Sequence, residues 1–540
     1  LRTPHKFHGG VHPPEHKTES SRLPIAAAPL PQRLIVPLRQ HIGNPAKPVV
    51  NVGDYVLKGQ MIGAADGFIS AAVHAPTSGT VNAIEIHAVP HPSSLPDLCI
   101  SIEADGEDRW TEHQPLDYTT ADPDAVRALL RDAGIVGLGG AVFPTYVKLN
   151  PGQQKIKTLV LNGAECEPWI TSDDLLMRER AAEIVAGIKI MAHLMQPEEV
   201  LIGIEDNKPE AIAAMQAACR STNLGKDTRF EVVTIPVLYP SGGEKQLIKL
   251  LTGKEVPSGQ RPINIGVLCS NTGTAYTVHR AVNHGEPVIS RMVTITGNVA
   301  KPQNFEALIG TPLGELVQLA GGAKPDTNHY IMGGPMMGFD LNNLDAPLTK
   351  AINCVIAASP ALFPPKPAAM PCIRCTQCAQ ACPCNLQPQE LFWFSQSKNF
   401  DKARAYNLFD CIECGCCDYV CPSHIPLVSY FRYAKSEIAT QDREKIAAEQ
   451  ARQRFEFKQM REEREKADKA ARMAEKAAAA AAAKAVAAAS GVEDPVAAAK
   501  QAAIQAAVER AKAKKAEAAA AATSPPSEQS AALENNTESS

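Results

Sequence analysis

No stretch of this sequence stays apolar for the roughly 18 to 20 residues that a membrane-spanning helix needs. Contact with a membrane is therefore expected only through partners or a surface patch. Charge of one sign is missing as well. The 54 Lys and Arg against 58 Asp and Glu leave a net charge of −4, and nothing points to nucleic acid. No secretory signal opens the chain. Leu1 rather than Met stands first, so residues are expected to precede it. Disulfide spacing is absent: Cys99, Cys166, Cys219, Cys269 and Cys354 are scattered singly, the usage of a reducing compartment. A G-x-G-x-x-G dinucleotide fingerprint is also absent, because Val142 stands where its last glycine would be.

The other ten of the 15 cysteines crowd between Cys372 and Cys421. They spell C-x2-C-x2-C-x3-C-P twice, as Cys372, Cys375, Cys378, Cys382, Pro383 and as Cys411, Cys414, Cys417, Cys421, Pro422. This is the bacterial ferredoxin pattern for [4Fe–4S] ligation, in which the fourth cysteine of each run serves the other cluster. One cluster is thus assigned to Cys372, Cys375, Cys378 and Cys421, the other to Cys411, Cys414, Cys417 and Cys382. The alternative is a pair of zinc sites, but four cysteines per run ending in Cys-Pro do not suit one tetrahedral ion. A shift of 39 places superposes the runs and lays Phe392 on Phe431 and Phe394 on Tyr433. Cys384 and Cys416 fall where the other copy has Ser423 and Gln377, and are read as packing rather than ligation.

The length of 540 residues suggests about three to five domains. Residues 1–32 form a Pro- and His-rich arm. Its His5, His8, His12 and His16 could mark a metal site, but Pro4, Pro13 and Pro14 break any helix that would align them, so a wrapping arm is the expectation. Residues 33–113 read as a β domain, with strand-like runs at Arg33–Leu38, Val81–Ile86 and Leu98–Ile102. Val52–Gln60 and Ala75–Val81 resemble half of a biotinyl/lipoyl carrier. A carrier needs an exposed lysine at its hairpin tip, and Ala65–His74 has none, so the sandwich is expected to be structural.

Residues 114–285 alternate β and α, which predicts a mostly parallel sheet. Asp122-Pro123 is the expected start of the first helix. A long helix is expected from about Asp174 to Leu194, another from Pro209 to about Cys219, and strands at Thr158–Leu161, Val200–Ile204, Phe230–Val237 and Ile263–Leu268. Loops at Gly137–Pro144, Asn162–Pro168, Tyr239–Lys245 and Cys269–Thr274 follow these elements and suggest one shared crevice. Glycine clusters let backbone approach a ligand, commonly phosphate. Residues 286–345 read as a small β-grasp unit. Its Gly333–Gly338 turn carries Met336 and Met337, expected to pack between domains. Residues 346–371 are expected to link, 360–371 alone holding five prolines. Residues 372–436 form the two-cluster domain. The tail, 437–540, reads as a solvated Ala/Lys/Glu-rich helix with i,i+4 pairs such as Glu462–Lys466 and Glu465–Lys469. It is interrupted at Gly491 and Pro495 and disordered toward Ser540.

The set GLGGAVFP, LVLNGAECEP, YPSGGEKQL and CSNTG, followed by two ferredoxin motifs, resembles the C subunit of the Rnf (Rsx) electron-transport complex. It is more distantly similar to the flavin- and NADH-binding subunit of respiratory complex I. The resemblance covers about residues 1–436 and implies a soluble-ligand-binding (SLBB-like) β-grasp domain and an FMN and NADH site. It puts the flavin near Gly137, Gly139, Gly140 and Lys148, and Asn162, Glu165 and Glu167 beside the flavin ring and the dinucleotide. It has Gly242, Gly243 and Glu244 close the site, and Asn271 and Thr272 reach the ribityl-phosphate. The complex I subunit has an arginine where this chain has Leu138, which removes one charged phosphate donor. NADH gives two electrons together and a cubane takes one at a time, so a flavin would join them. The implied role is peripheral, on the cytoplasmic side of the inner membrane. Electrons would pass between NAD(H), FMN and two [4Fe–4S] clusters to the other Rnf/Rsx subunits and, through a partner, ferredoxin. Two rivals stay open: an electron-wire scaffold without flavin, and the NADH-oxidising arm of a soluble hydrogenase or dehydrogenase.

Overall fold

A computed structural model describes residues 2–222, 228–489 and 495–521. The chain divides into two compact units, Leu1–Thr440 and Gln441–Ser540. Within the first, a β-sandwich comes first. Arg33–Pro37, Asp97–Ala104, Gly79–His87 and Tyr55–Val56 form one antiparallel sheet in that order, and Lys47–Pro48, Met61–Ala64 and Val73–His74 the other. Alternate residues point inward, so Leu34, Val36, Val56, Ile62, Val73, Val81, Ile100 and Ile102 fill the core. The lysine-free hairpin between Met61–Ala64 and Val73–His74 is tied to Lys350 outside the sandwich and to His41 within it. The Ala72 carbonyl accepts from Lys350 (3.0 Å) and Ala71 bonds His41.

The α/β domain begins as its sequence dictates. Asp122 caps the helix Pro123–Asp132, accepting the Asp124 N–H at 2.7 Å, with Pro123 in the first turn. Four parallel strands follow in the spatial order Arg229–Ile235, Glu199–Glu205, Thr158–Asn162, Val267–Asn271. The chain winds outward from the 158–162 strand and then crosses back to add 267–271 on its other side. The winding therefore reverses between these two strands, where α/β sheets open a crevice. Two expectations need correction. The long helix from Asp174 is broken at Arg180 (φ −127°) into Ser172–Glu179 and Ala181–Met195. The expected strand from Ile263 begins as a tight turn, Pro262–Ile265, and only Val267–Asn271 is extended.

The β-grasp unit is a six-stranded mixed sheet. Its order is Ala26–Ala27, Gln303–Leu308, Ser290–Gly297, Cys354–Ala358, His329–Met332, Phe339–Asp340, with helix Leu313–Leu319 over its core. Two of its strands come from segments expected to lie outside it. Ala26–Ala27 belongs to the arm. Cys354–Ala358, placed by the sequence pattern in the 346–371 linker, is a fully buried inner strand. A short uninterrupted apolar run beside a proline-rich stretch is the signature of such a strand.

The arm wraps the first unit. Arg2 bonds Glu231 and Glu199, Val11 pairs with Tyr239, His8 reaches the Cys382 carbonyl, and His16 stacks on Trp169 at 4.2 Å. His8 and His16 thus take separate partners. Short helices Gln377–Ala381, Pro388–Gln396, Phe400–Ala405 and Cys416–Tyr419 make the cysteine domain, closed by Leu427, Val428, Phe431, Ala434 and Ile438 of the helix Leu427–Ala489.

In the second unit every residue from 443 to 489 is exposed. Glu462 and Glu465 pair with Lys458 and Arg461 four residues before them, in place of the pairs expected with Lys466 and Lys469. A helix Pro495–Ala521 follows. Gly491 and the segment 522–540, read as a break and as disorder, lie outside the described residues. No helix among the described residues is long and apolar enough to cross a membrane.

Candidate functional site: a switch-point crevice and two thiol-lined cavities

Asn162 and Asn271 are register partners at the carboxyl ends of the two strands that flank the reversal. Around them the structure gathers most of the residues expected at the flavin. Asn162 Nδ2 donates to the Gly242 carbonyl (2.8 Å). Lys148 Nζ lies 3.0 Å from Glu244 Oε1 and donates to the Cys269 carbonyl at 3.2 Å. Burial alone would lower the Lys148 pKa, but the Glu244 carboxylate outweighs it and raises it. A Cβ on Gly139 would touch Asn271 at 3.3 Å, whereas one on Gly140 (φ +104°) would meet open space. Gly137 stands at the base of the same loop, where its N–H bonds the Phe143 carbonyl. Gly243 precedes the helix Glu244–Thr252.

Asn271 caps the helix Thr272–His284, accepting from Thr274 N–H while its amide donates to Asp173 Oδ2 at 2.6 Å. The first residue of that helix, Thr272, is fully buried, and its hydroxyl has no hydrogen-bond partner. An orphaned buried hydroxyl at a helix N-terminus, with Lys148 and the unobstructed Gly140 in the same group of loops, fits the phosphate end of FMN. Leu138 packs with Ala71, Val136 and Val142. Its N–H donates to Thr274 Oγ1 (2.8 Å) and its carbonyl accepts from Arg291 (2.7 Å).

Glu165 and Glu167 lie on the adjoining loop, but both carboxylates face protein. Glu165 caps the helix Ser172–Glu179, accepting the N–H groups of Asp173 (2.6 Å) and Asp174 (3.1 Å). Glu167 accepts those of Met336 (2.7 Å) and Met337 (3.0 Å) from the β-grasp turn. Burial raises the pKa of each. Sequence reasoning missed the residue that secures this loop. Lys17, from the arm, is buried, and its ammonium donates to the carbonyls of Glu165 (2.8 Å), Glu167 (2.9 Å) and Ile170 (2.7 Å). Nothing local in the sequence signals a lysine whose three acceptors lie about 150 residues away.

The cysteines form two cavities. Cys372, Cys375, Cys378 and Cys421 line one, and Cys382, Cys411, Cys414 and Cys417, with Cys384 and Cys416 beside them, line the other. The fourth cysteine of each run has crossed to the other set. Among the described residues no three His, Cys, Asp or Glu side chains converge as ligands of a single ion would. The thiols stand around a space. Left-handed backbone recurs at matching places in the two loops: Arg374 and Glu413 (φ 57° and 56°), Thr376 and Gly415 (64° and 79°), Asn385 and His424 (57° and 52°). Such turns aim successive side chains inward, and strain of this kind collects at functional loops. Four thiols in an apolar, loop-walled space fit a [4Fe–4S] cube.

The second cavity abuts the crevice. The Tyr239 hydroxyl donates to the Cys414 carbonyl at 2.7 Å, and the Gln246 amide to the Pro383 carbonyl at 3.3 Å. Both residues belong to the loop and helix that carry Gly242, Gly243 and Glu244. The first cavity opens outward, with Cys375 exposed and Ile373 68% exposed.

Matches to protein families follow these divisions. Residues 130–280 match the Nuo51 FMN-binding domain, 5–107 the RnfC barrel sandwich hybrid domain and 292–340 the SLBB domain. Fold and crevice therefore place the chain in the class built on a Nuo51-type FMN-binding domain. Similar proteins narrow this. The C subunit of the ion-translocating oxidoreductase complex of Pectobacterium carotovorum is 49% identical over 94% of this chain and 65% of its own length. That of Pseudomonas aeruginosa is 53% identical over 95% and 65%, and that of Yersinia pestis (strain Antiqua) 51% identical over 85% and 74%. The chain belongs to this family of ion-translocating oxidoreductase C subunits. It spans about 65% of the length of the first two relatives. A solved NAD+-reducing [NiFe]-hydrogenase is 22% identical over 53% of this chain and 54% of its own, with a TM-score of 0.42, too slight a likeness to argue from.

Proposed function

We propose that this chain passes electrons between NAD(H), FMN and two [4Fe–4S] clusters, as a peripheral subunit of a membrane-bound ion-translocating oxidoreductase complex of the Rnf/Rsx type. It would sit on the cytoplasmic side of the inner membrane, hand electrons to the membrane subunits and reach ferredoxin through one of them. The observation that carries this reading is the crossed composition of the two cysteine cavities, one of them built against the crevice. Bound FMN would supply the change from paired to single electrons.

The chain's own residues do the rest. Lys148, the Thr272 hydroxyl and the N-terminus of helix Thr272–His284 would hold the phosphate end, with Gly139 and Gly140 leaving room for it. Asn162 and Gly242 shape the floor. Glu165 and Glu167 act as anchors, fixing the dinucleotide side of the crevice to a helix end and to the β-grasp turn. Tyr239 and Gln246 hold the Cys382/Cys411/Cys414/Cys417 set against the crevice, where a cluster held by it would be the first acceptor. The exposed Cys372/Cys375/Cys378/Cys421 set is then the outlet to a partner. NADH titration of anaerobically purified protein, followed by visible and EPR spectra, tests the reading. Flavin bleaching together with two cluster signals is expected. Clusters that respond to dithionite but never to NADH would favour the electron-wire alternative.

A further inference from the structure

A further cavity lies where four parts of the first unit meet. Leu30 lines it from the arm, Trp110 from the end of the β-sandwich domain, Tyr276 from the helix Thr272–His284 and Met292 from the β-grasp sheet. Its volume is about 260 Å³, far beyond what one ordered water needs. Small-molecule sites favour such junctions, with apolar walls and a few well-placed polar groups. Here the inner wall is apolar, since Leu176, Val288 and Ile289 are all buried. Most charged groups on the lining already have partners. Lys58 pairs with Asp108, Arg280 pairs with Glu286, and Glu306 accepts from the Ser290 hydroxyl at 3.0 Å.

Arg291 is the exception. Only 6% exposed, it brings a buried guanidinium to the cavity. Its Nη2 donates to the Leu138 carbonyl at 2.7 Å and its Nε to the Ile352 carbonyl. Nη1 has no hydrogen-bond partner among the described residues. Asp173, also on the lining, gives its carboxylate to the Asn271 amide at 2.6 Å and forms no ion pair with Arg291. Burial lowers the Arg291 pKa to about 10, with Asp173 pulling the other way, so the group stays charged at pH 7. A buried cation without a counter-ion is costly, and a buried donor without an acceptor adds to the cost.

We propose that this cavity binds a small monocarboxylate with an apolar body, its carboxylate on Arg291 Nη1 and its body against Leu176, Val288 and Ile289. One free nitrogen offers one charge-assisted contact. A doubly charged phosphate would meet too few donors there and would be repelled by Asp173 and Glu306. Neither the flavin nor the clusters enter into this site, although the Arg291–Leu138 bond ties it to the base of the Gly137–Pro144 loop.

The test is calorimetry on the full chain, with octanoate as the probe and octanamide, acetate and inorganic phosphate as controls. Octanoate should bind at one site per chain. Octanamide has the same shape without the charge and should bind at least about tenfold more weakly. Acetate and phosphate should show no saturable binding. Arg291→Met should bring octanoate down to the affinity of octanamide and leave octanamide unchanged, a split that a collapsed cavity would not give. If that variant binds neither or does not fold, Trp110 decides. Octanoate should change the tryptophan fluorescence of the unmodified chain, and Trp110→Phe should abolish the change while calorimetric binding persists. The proposal is overturned by no saturable octanoate binding, by octanamide binding as tightly, or by phosphate binding at the site. Undiminished octanoate affinity in Arg291→Met, or a fluorescence response that survives Trp110→Phe, would overturn it too.

Discussion

The two cysteine runs share their spacing, their left-handed turns and an aromatic helix apiece, with Phe392 and Phe431 both buried. Their surroundings differ on every side. The first opens to solvent at Cys375 and Ile373. The second is walled in by Tyr239 from the α/β domain, by Met336 from the β-grasp turn pressing on Gly415, and by His8 of the arm on the Cys382 carbonyl. A repeat in sequence therefore builds the four-cysteine motif twice, while the place of each copy in the fold gives it different neighbours; on the proposed function, equal motifs would take unequal roles.

The most damaging break of this comparison is at the crossing. Cys382→Ser should eliminate or convert the cluster of Cys411, Cys414 and Cys417, leaving the one held by its nearer sequence neighbours Cys372, Cys375 and Cys378. Iron analysis with EPR reads this directly. Loss of the outward cluster instead would uncross the assignment.

Next in size is the feed to the flavin-side set. Gly139→Val puts a branched side chain where even a Cβ meets Asn271 at 3.3 Å, in the space assigned to the flavin. Misplacement on that scale costs roughly 100-fold in rate, so NADH oxidation should collapse while dithionite still reduces both clusters. Normal NADH oxidation in this variant would take the glycine loop out of the mechanism.

What the sequence made legible follows from range. The helix start at Asp122-Pro123, the strand-end loops and the cysteine runs are local patterns, and each lies in the structure where its own chemistry put it. The crossing of Cys382 and Cys421 was legible because the motif carries it. The rest depends on residues far apart in the chain. Lys17 could not be matched to the 165–170 carbonyls, nor Glu167 to the Met336 and Met337 amides, because no periodicity encodes a partner so distant. Cys354–Ala358 was absorbed into a linker because proline content outweighed a five-residue apolar run. Arg180 ends a helix whose amphipathic pattern continues through it, so propensity alone ran the two helices together.

Exposure gives a third, smaller effect. A chelator with mild oxidant should strip iron several-fold faster from the outward set, where Cys375 is exposed, than from the set holding the buried Cys382, Cys414 and Cys417. Following the two EPR signals over time checks this. Equal rates would mean that the wall around the second set does not exclude small reagents.

The smallest effect concerns the brace of the second run. Lys435 Nζ donates to the Cys411 carbonyl at 2.6 Å and to Glu413 at 2.8 Å, and Arg432 joins the same carboxylate at 2.9 Å. The first run has Gln396, Arg374 and Trp393 at these places and so has no such brace. Lys435→Met should cost about 1–2 kcal/mol of stability, since the lost bonds are charge-assisted but partly screened. Gln396→Met, exposed at the equivalent position, should stay within about 0.5 kcal/mol. The sign with pH follows from Glu413. Burial would raise its pKa, but the hydrogen bonds and charges of Lys435 and Arg432 outweigh burial and lower it below the usual 4.5. A carboxylate depressed in this way contributes stability above its unfolded pKa and loses it as pH falls through the folded one. The difference between unmodified protein and Lys435→Met should therefore be full at pH 7 and shrink only below about pH 4.5. Thermal melts of both proteins across that window check it, and a difference that persisted undiminished in acid would mean that the bond to the Cys411 carbonyl, rather than the Glu413 pair, carries the brace.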